Sequence, residues 1–367
     1  MSTKLTGRQR TLFVPAILLI IYGCYYCLIR IRVSSLSLSP GDQSLQSTHA
    51  SATSAGFLPI EEAESLCSSY NLTTYPGRLS HRKIYDLVIV DTELDWLEIR
   101  LHELQHQVDY FVIVEATSTF TRNHKPLYVK NNLDRFREFH PKIIYHALSL
   151  DVEPVKDWGP WEREAYTRNS LFDAVFPSLV GPATPEFGDI ILVSDADEIP
   201  RPSILTVLRN CQFPERTTLR SRFFYYSFQW QHIGGNNLVD WEHPQATIYQ
   251  GLDKTIRPED LRMSRNGKAW DLWNAGWHCS SCFSTVAEMI HKIESFSHIE
   301  ANQPEFKQPS EIVRRIRHGQ DIFDRDWEPN MRVDSLNDMP EYVKENRQKF
   351  NYMVDRDPEN ANFRDYP

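Results

Sequence analysis

A strand, a helix and a second strand follow one another within residues 84–114, and this order restricts the chain to folds that contain a parallel pair of strands. Residues 84–90 are apolar and rich in β-branched side chains, as is typical of a buried strand. An apolar stripe spaced by three and four residues follows, as on one face of a helix: Leu94, Leu97, Leu101, Leu104 and Val108. Thr92 and Asp95 have the spacing of a capping box that would open this helix. Residues 110–114 form the second buried strand.

Further strands and a further helix extend this pattern. Residues 142–148 and 189–193 are apolar runs of strand length, and residues 161–176 fit a helix that carries Arg163 and Arg168 among apolar side chains. No G-x-G-x-x-G sequence follows the first strand, so the fingerprint of a dinucleotide-binding fold is missing. The alternation of strands and helices predicts an α/β fold with a mostly parallel central sheet.

Three carboxylates stand directly after the apolar strand 189–193: Asp195, Asp197 and Glu198. In open α/β sheets, ligands bind outside the carboxyl ends of the strands. Two aspartates separated by one residue can present oxygens to a hard divalent cation, and such a cation can neutralise a diphosphate. A solvated acidic turn is the alternative, but nothing structural requires three acids at this place. The sequence therefore predicts a metal and substrate site here.

An apolar run without a charged residue covers residues 12–29. At about 1.5 Å per residue it spans most of a bilayer core of about 30 Å. Basic residues flank it on both sides, with a small excess before it: Lys4, Arg8 and Arg10, then Arg30 and Arg32. A cleaved signal peptide is the alternative, although no small-x-small cleavage site follows directly. The favoured interpretation is a single N-terminal membrane helix with a lumenal remainder, the layout of a type II membrane protein.

The segment after the apolar run has the composition of a flexible stem, since residues 34–54 are rich in Ser, Thr, Gly and Pro. One N-x-[ST] sequon, at Asn71, lies on the side interpreted as lumenal. Four cysteines lie on the same side: Cys67, Cys211, Cys279 and Cys282. In an oxidising compartment they allow two disulfides in three possible pairings. The last two cysteines can instead form a redox pair or, with His278, part of a metal site.

The balance of acidic and basic residues argues against one class of partner. Forty Lys and Arg against 49 Asp and Glu give a formal net charge of −9, which argues against a nucleic-acid binder with its basic face. Aromatic residues make up 12% of the chain, and they can fill a core or stack on the apolar faces of sugar rings. Trp270, Trp273 and Trp277 lie close together in sequence, and Trp158 and Trp161 head the helix with the arginines.

Four segments in the same order resemble glycosyltransferase family 17, the family of the bisecting N-acetylglucosaminyltransferases: residues 91–101, 108–115, 194–200 and 276–283. The resemblance implies a GT-A-like nucleotide-sugar-binding domain, UDP-N-acetylglucosamine as donor, an N-glycan on a glycoprotein as acceptor, an inverting β-1,4 transfer and residence in the Golgi or ER membrane. The expected layout has five segments: a cytoplasmic tail (1–10), a transmembrane anchor (11–30), a stem (31–80), a catalytic domain (81–350) and a C-terminal tail (351–367).

With this resemblance, Asp195 and Asp197 become candidate ligands that hold Mn²⁺ or Mg²⁺ against the donor diphosphate, and Asp197 is favoured for direct coordination. His278 is a candidate third ligand, because a neutral imidazole can complete a shell begun by carboxylates. A hydrogen-bonded structural histidine is the alternative. Glu115 ends the second strand at the same edge and can accept hydrogen bonds from the uridine or ribose; helix capping or a salt bridge is its alternative.

Further side chains are candidates for binding and for proton transfer. Arg163 and Arg168 can bind the diphosphate, since a guanidinium matches phosphate oxygens, or they can pair with nearby acids. An inverting displacement needs a base for the acceptor hydroxyl, and the candidates are Asp271 and Glu198. Glu198 can instead act by steering Asp197.

Two other classes of function stay open, beside a transferase of the same fold with another UDP-sugar or acceptor. A metal-dependent phosphohydrolase can also use a strand-end D-x-D sequence, with Asp195 as its nucleophile. A catalytically silent lumenal protein would bind glycans and ignore both metal and nucleotide sugar. Thermal stabilisation by UDP and Mn²⁺ together would favour the transferase over both.

Overall fold

The computed structural model describes residues 56–234, 240–263, 269–333 and 335–367. The predicted cytoplasmic tail, the predicted anchor and the first part of the predicted stem lie outside the described residues. Within the described ranges, no helix is both long enough and apolar enough to cross a membrane.

Strands and helices alternate through the first part of the described chain, as expected for an α/β fold. The strands are β1 (Thr73–Thr74), β2 (Ile84–Ile89), β3 (Tyr110–Ala116), β4 (Ile143–Leu148), β5 (Ile190–Asp195), β6 (Glu198–Pro200), β7 (Cys211–Gln212), β8 (Thr217–Tyr225), β9 (Trp230–His232), β10 (Asp240–Trp241), β11 (Gln245–Ile248), β12 (Trp270–Ser280) and β13 (Asn330–Arg332). The α-helices are α1 (Ile60–Ser69), α2 (Leu94–Leu104), α3 (Tyr128–Asn131), α4 (Pro160–Asp173), α5 (Pro202–Asn210), α6 (Pro258–Met263), α7 (Val286–Ser295), α8 (Pro309–Arg317), α9 (Glu341–Glu345) and α10 (Asn351–Val354). Short 3₁₀ helices cover Leu133–Lys142, Val155–Asp157, Phe176–Ser178, Gly181–Ala183, Ile299–Ala301 and Pro304–Lys307.

The central sheet has a parallel part and an antiparallel part. Its strands follow the order β13-β9-β8-β11-β5-β2-β3-β4. Strands β5, β2, β3 and β4 pair in parallel, whereas β11 pairs antiparallel with both β5 and β8. Strand β12 pairs in parallel with β8 and antiparallel with β6, so it lies beside the loop that follows β5. The predicted α/β class is confirmed, and the sheet as a whole is mixed rather than uniformly parallel.

The predicted strand–helix–strand unit is confirmed, but the predicted capping box of Thr92 and Asp95 is wrong. The unit occurs as β2, α2 and β3, with β2 and β3 parallel. Helix α2 begins at Leu94 behind Glu93, and no side chain caps its first turn. Asp95 does not reach back to the backbone, because its carboxylate accepts hydrogen bonds from Arg135 and from the Tyr352 hydroxyl. The Glu93 carboxylate instead accepts a hydrogen bond from the backbone N–H of Asp91 at 2.8 Å.

Strand β2 contributes side chains to two hydrophobic cores, as alternation along a strand requires. Val88 packs in the core that contains Leu97 of α2, and Leu87 packs in the core that contains Leu171 of α4. Helices therefore cover both faces of the parallel part of the sheet. Burying one leucine or valine side chain contributes about 1.5–3 kcal/mol, so this two-sided burial is what fixes the strand ends in place.

The packed region is longer at both ends than the predicted domain of residues 81–350. Helix α1 lies within the predicted stem, yet Cys67 in it is fully buried and forms a disulfide with Cys211. Within the predicted C-terminal tail, Tyr352, Arg356 and Phe363 are buried, and Arg356 donates four hydrogen bonds to three backbone carbonyls. Both ends are part of the folded unit because their apolar side chains complete cores that the rest of the chain leaves open.

The second disulfide joins Cys279 and Cys282. These cysteines are therefore not thiolate ligands of a metal, and the two pairings select one of the three that the sequence allowed.

Loss of the Cys67–Cys211 disulfide should lower the free energy of unfolding by about 2–5 kcal/mol, because the bond closes a long loop of the unfolded chain. The two cysteines are 144 residues apart, whereas Cys279 and Cys282 are three apart. Urea unfolding of a Cys67→Ser/Cys211→Ser variant of the full chain measures the loss. A Cys279→Ser/Cys282→Ser variant is the control, and an equal loss in both would contradict the loop-length explanation.

Candidate active site

The carboxyl ends of three parallel strands bring acidic residues to one edge of the sheet. Asp91 follows β2, Glu115 lies near the end of β3, and Asp195 is the last residue of β5. Because β2 pairs in parallel with β3 and with β5, these ends lie side by side. This edge is where open α/β sheets bind ligands.

Two arginines from distant helices bind the first aspartate of the D-x-D sequence. Arg168 of α4 donates to Asp195 Oδ1 at 2.7 Å, and Arg262 of α6 donates to Asp195 Oδ2 at 2.7 Å. Arg262 also donates to both carboxylate oxygens of Glu198, at 2.7 and 2.8 Å. Burial alone would raise the pKa of both acids, but the charge of Arg262 outweighs it and holds both pKa values below their usual range. Asp195 and Glu198 are therefore ionised and fully engaged.

These contacts decide what Asp195 and Glu198 are able to do. The oxygens of Glu198 also accept hydrogen bonds from the Trp241 indole at 2.6 Å and from the backbone N–H of Asp195 at 2.8 Å. Its side chain is fully buried. Glu198 is buried and does not face an acceptor as a general base would. Each Asp195 oxygen accepts a hydrogen bond from an arginine, but the side chain is 33% exposed, so direct metal contact by Asp195 stays a prediction. Both residues hold the loop that carries Asp197, which is the alternative already considered for Glu198.

Asp197 stands out from its neighbours because no Lys or Arg of the described chain forms an ion pair with its carboxylate. Its side chain is 13% exposed, and its Oδ1 lies 3.6 Å from Nδ1 of His278. Burial raises the pKa of Asp197 to about 8, against the lowering effect of Lys292 and with the raising effect of Glu198 and Asp195. A buried carboxylate without a partner is costly, so this position favours a bound cation.

His278 lies next to Asp197 as a neutral imidazole. Its ring stacks on Phe223 and on Trp241, with centroid distances of 4.8 and 4.6 Å, and those two rings also contact each other at 4.9 Å. Burial lowers the pKa of His278 to about 4, so the ring is uncharged at neutral pH. Its Nδ1 is buried without a hydrogen-bond partner in the described part of the chain. A neutral imidazole and a carboxylate are suitable cation ligands, although the described residues contain no cluster of three His, Cys, Asp or Glu side chains that could hold a metal.

Arg100 is a residue of the site that sequence reasoning missed. It is fully buried in α2 and donates to both oxygens of Asp86 in β2, each at 2.6 Å. It also donates to the backbone carbonyls of Glu198 at 2.8 Å and of Asp195 at 3.3 Å, so it holds the backbone of the D-x-D loop in place. A signal was present, since Asp86 interrupts an apolar strand and Arg100 lies between the apolar residues Ile99 and Leu101 of the next helix.

The comparisons with known proteins agree with this geometry. The family model for Glycosyltransferase family 17 matches residues 8–359. The chain belongs to glycosyltransferase family 17. Its curated relatives include proteins named beta-1,4-mannosyl-glycoprotein 4-beta-N-acetylglucosaminyltransferase from Homo sapiens, 27% identical, and from Rattus norvegicus, 26% identical, each over 307 residues that cover 75% of this chain and 55% of the relative. The chain thus spans about half the length of the curated relatives it matches, and the predicted family resemblance is confirmed.

The remaining residues predicted from the family 17 resemblance are placed as follows. The carboxylate of Glu115 accepts hydrogen bonds from the backbone N–H groups of Val129 and Lys130 at 2.9 and 3.3 Å, and from the Tyr145 hydroxyl at 2.8 Å. Glu115 is fully buried, so these contacts favour the helix-capping alternative over contact with a nucleotide.

Arg163 and Asp271 lie in other contacts. Arg163 is fully buried and donates to the backbone carbonyls of Leu150 and Val155 and to the Ser118 hydroxyl, so it supports loops and does not face a diphosphate. Asp271 forms an ion pair with Arg220 at 3.1 Å on β12 and β8. The structure therefore brings Asp195, Asp197, Glu198, Arg168 and His278 together, and leaves Arg163 out.

Proposed function

We propose that this family 17 protein transfers N-acetylglucosamine from UDP-N-acetylglucosamine to a mannose of an N-glycan, in a β-1,4 linkage and with inversion, as part of protein N-linked glycosylation. The observation that carries the proposal is the unpaired Asp197 carboxylate beside the neutral His278, at the ligand-binding edge of a family 17 fold. The names of the curated relatives support the donor and the acceptor.

The site residues divide into those that bind and those that position. Asp197 and His278 would hold Mn²⁺ or Mg²⁺ together with phosphate oxygens of the donor. The cation would neutralise charge on the leaving UDP. Arg262, Arg168 and Glu198 keep the loop in one conformation, so that the Asp197 oxygens are preorganised before the donor binds.

In the proposed step, an acceptor hydroxyl attacks the anomeric carbon from the face opposite UDP. The new glycosidic C–O bond forms as the bond to the diphosphate oxygen breaks, and the electron pair of that bond stays on UDP. The hydroxyl proton passes to a base. Of the two candidates, Glu198 is buried, and Asp271 is 29% exposed but pairs with Arg220 and lies seven residues before His278 on β12. The proposal therefore leaves the base unassigned.

An exposed tryptophan beside Asp271 supports an acceptor surface. Trp273 is 61% exposed, and the Arg220 guanidinium that pairs with Asp271 lies 5.4 Å from its ring centroid. An exposed indole face suits stacking on a pyranose ring. Trp277 differs, because it is buried and its indole N–H donates to Asp338 at 2.8 Å, which is a structural contact.

The cellular setting is part of the same proposal. A transmembrane anchor at residues 11–30 would hold the protein in the Golgi or ER membrane as a single-pass type II protein, after a cytoplasmic tail at 1–10. The two disulfides support an oxidising lumen, and the sequon residue Asn71 is exposed for glycosylation.

Thermal unfolding of the full chain with UDP, Mn²⁺, both or neither tests the proposal. We expect stabilisation only with both ligands, of about 2.7 kcal/mol at a ligand concentration of 100 times Kd. A donor panel with N-glycan acceptors then gives the product, and its NMR spectrum gives linkage and anomeric configuration. Absence of stabilisation would instead indicate a silent glycan-binding protein, and hydrolysis of phosphate esters with a phosphorylated Asp195 would indicate a phosphohydrolase.

A further inference from the structure

Helix α7 lies against the loop that follows β2 and presents a histidine and a lysine to it. His291 Nε2 is 2.7 Å from Asp91 Oδ2, and Lys292 Nζ is 3.7 Å from Glu93 Oε1. The Thr121 hydroxyl, in the loop after β3, donates to the Glu294 carbonyl of the same helix at 2.7 Å. The helix is thus attached to the loops at the ligand-binding edge of the sheet.

The α7 helix is held firmly enough to place these side chains. Thr285 and Glu288 form a capping box at its N-terminus. Its buried side, with Met289 and Ile293, packs in a separate hydrophobic core. Lys292 therefore projects from a rigid element, which is the requirement for a precise binding group.

Lys292 has a charged ammonium group with no close partner among the described residues. Its ammonium donates no hydrogen bond to any of the described residues, and the carboxylate closest to it is 3.7 Å away. The side chain is 35% exposed. Among the other cations near the strand ends, Arg168 and Arg262 bind Asp195. Lys125 is buried and forms an ion pair with Asp91 at 3.0 Å, although its ammonium also donates no hydrogen bond within the described chain.

The carboxylates around Lys292 are those of the candidate site. Burial would lower the pKa of Lys292, but the negative charges of Glu93 and Asp197, followed by Asp195 and Asp91, outweigh it and raise the pKa. The ammonium therefore stays charged and lies beside the acidic loop that follows β2, at the ligand-binding edge of the sheet.

We infer that Lys292 is a phosphate ligand, whose ammonium contacts the diphosphate of the nucleotide-sugar donor and stays with the UDP that leaves. This inference rests on the proposed function. In the transfer, the bond from the anomeric carbon to the diphosphate oxygen breaks with its electron pair on that oxygen. In the proposal the Lys292 ammonium contacts this oxygen and keeps its own proton throughout. A compact ammonium on a four-carbon stem can turn from the distant Glu93 oxygen to a phosphate oxygen with little loss.

The test compares UDP with uridine, because the two ligands differ only in the diphosphate. Binding of each to the full chain in Mn²⁺ is measured by calorimetry for the wild type, Lys292→Met and Lys292→Arg. We expect Lys292→Met to weaken UDP at least about tenfold, to leave uridine unchanged, and to lower turnover by about 10²-fold, while Lys292→Arg recovers most of the UDP affinity. Unchanged uridine binding also shows that the variant is folded.

Lys307→Met is the matched control. Lys307 is 24% exposed and pairs at 3.0 Å with Glu294, which lies in α7 as Lys292 does. It should bind UDP as the wild type does. UDP affinity that is unchanged in Lys292→Met, or that falls together with uridine affinity, would overturn the inference while the wild type still binds UDP. A wild type that binds neither ligand would overturn the proposed function as well.

Discussion

Replacement of Asp197 by asparagine should lower transfer at least about 10²-fold and leave the protein as stable as before, or more stable. Activity is lost because Asp197 provides the carboxylate proposed to hold the cation. Stability is retained because the folded protein does not stabilise this carboxylate. It forms no hydrogen bond within the described chain, and its pKa is raised to about 8, mainly by burial, so folding at neutral pH has to shift this group towards its protonated form at a cost in free energy.

The sign of this effect follows from linkage. A folded-state pKa above the unfolded value means that the folded protein binds the proton more tightly. The cost of ionising Asp197 is then absent at low pH and grows as the pH rises from the unfolded pKa near 4 towards 8. Asparagine removes that cost. Urea unfolding of wild type and Asp197→Asn at pH 5 and pH 8 measures it, and the difference between them should be larger at pH 8.

Asp195→Asn is the matched control, two residues away in the same loop. It removes one carboxylate partner of two buried arginines, Arg168 and Arg262, which keep their other acidic partners. We therefore expect it to lower the free energy of unfolding by about 1–3 kcal/mol. The two aspartates of one D-x-D sequence should therefore differ in kind, one functional and one structural. Normal turnover of Asp197→Asn, or a loss of stability equal to that of Asp195→Asn, would contradict the assignment.

The sequence predicted those parts of the fold and site whose cause is local. Apolar runs and a helical stripe are sufficient to place β2, α2, β3, β4, α4 and β5, and the chain direction within a strand–helix–strand unit makes the first pair parallel. The acids after β5 then fall at the ligand-binding edge. A sequence pattern carries this information because each step depends on residues close together in the chain.

The parts that could not be predicted depend on contacts between distant segments. The D-x-D pattern favoured Asp197 as the aspartate that contacts a metal. The physical reason is that Arg262, 67 residues after Asp195, binds the other aspartate. Glu115 ends a strand at the right edge, yet the backbone of Val129 and Lys130 takes its oxygens. Asp95 does not cap its helix, because its carboxylate accepts a hydrogen bond from the hydroxyl of Tyr352, 257 residues later. A charged side chain bonds whichever partner the tertiary fold brings near, and periodicity does not encode that choice.

Arg100→Met should be the most destabilising single change near the site, with a loss of about 3–5 kcal/mol in the free energy of unfolding, because it leaves Asp86 buried without its partner. Both side chains are fully buried, so water does not replace the lost contact. The second substitution Asp86→Leu removes the orphaned charge. Since replacing a buried ion pair by apolar side chains is often neutral, the double variant should recover most of the stability.

Activity should not recover with stability, and this separation is the decisive observation. Arg100 does two things: it neutralises Asp86, and it donates hydrogen bonds to the carbonyls of Glu198 and Asp195 at 2.8 and 3.3 Å. Methionine and leucine remove the need for charge neutralisation, but they donate no hydrogen bonds to the two carbonyls. The loop that carries Asp197 therefore loses these backbone hydrogen bonds. Urea unfolding and donor-transfer rates for the single and double variants separate the two contributions. A double variant that regains both stability and wild-type transfer would mean that Arg100 stabilises the core alone, and that the position of the D-x-D loop depends on Arg168 and Arg262 instead.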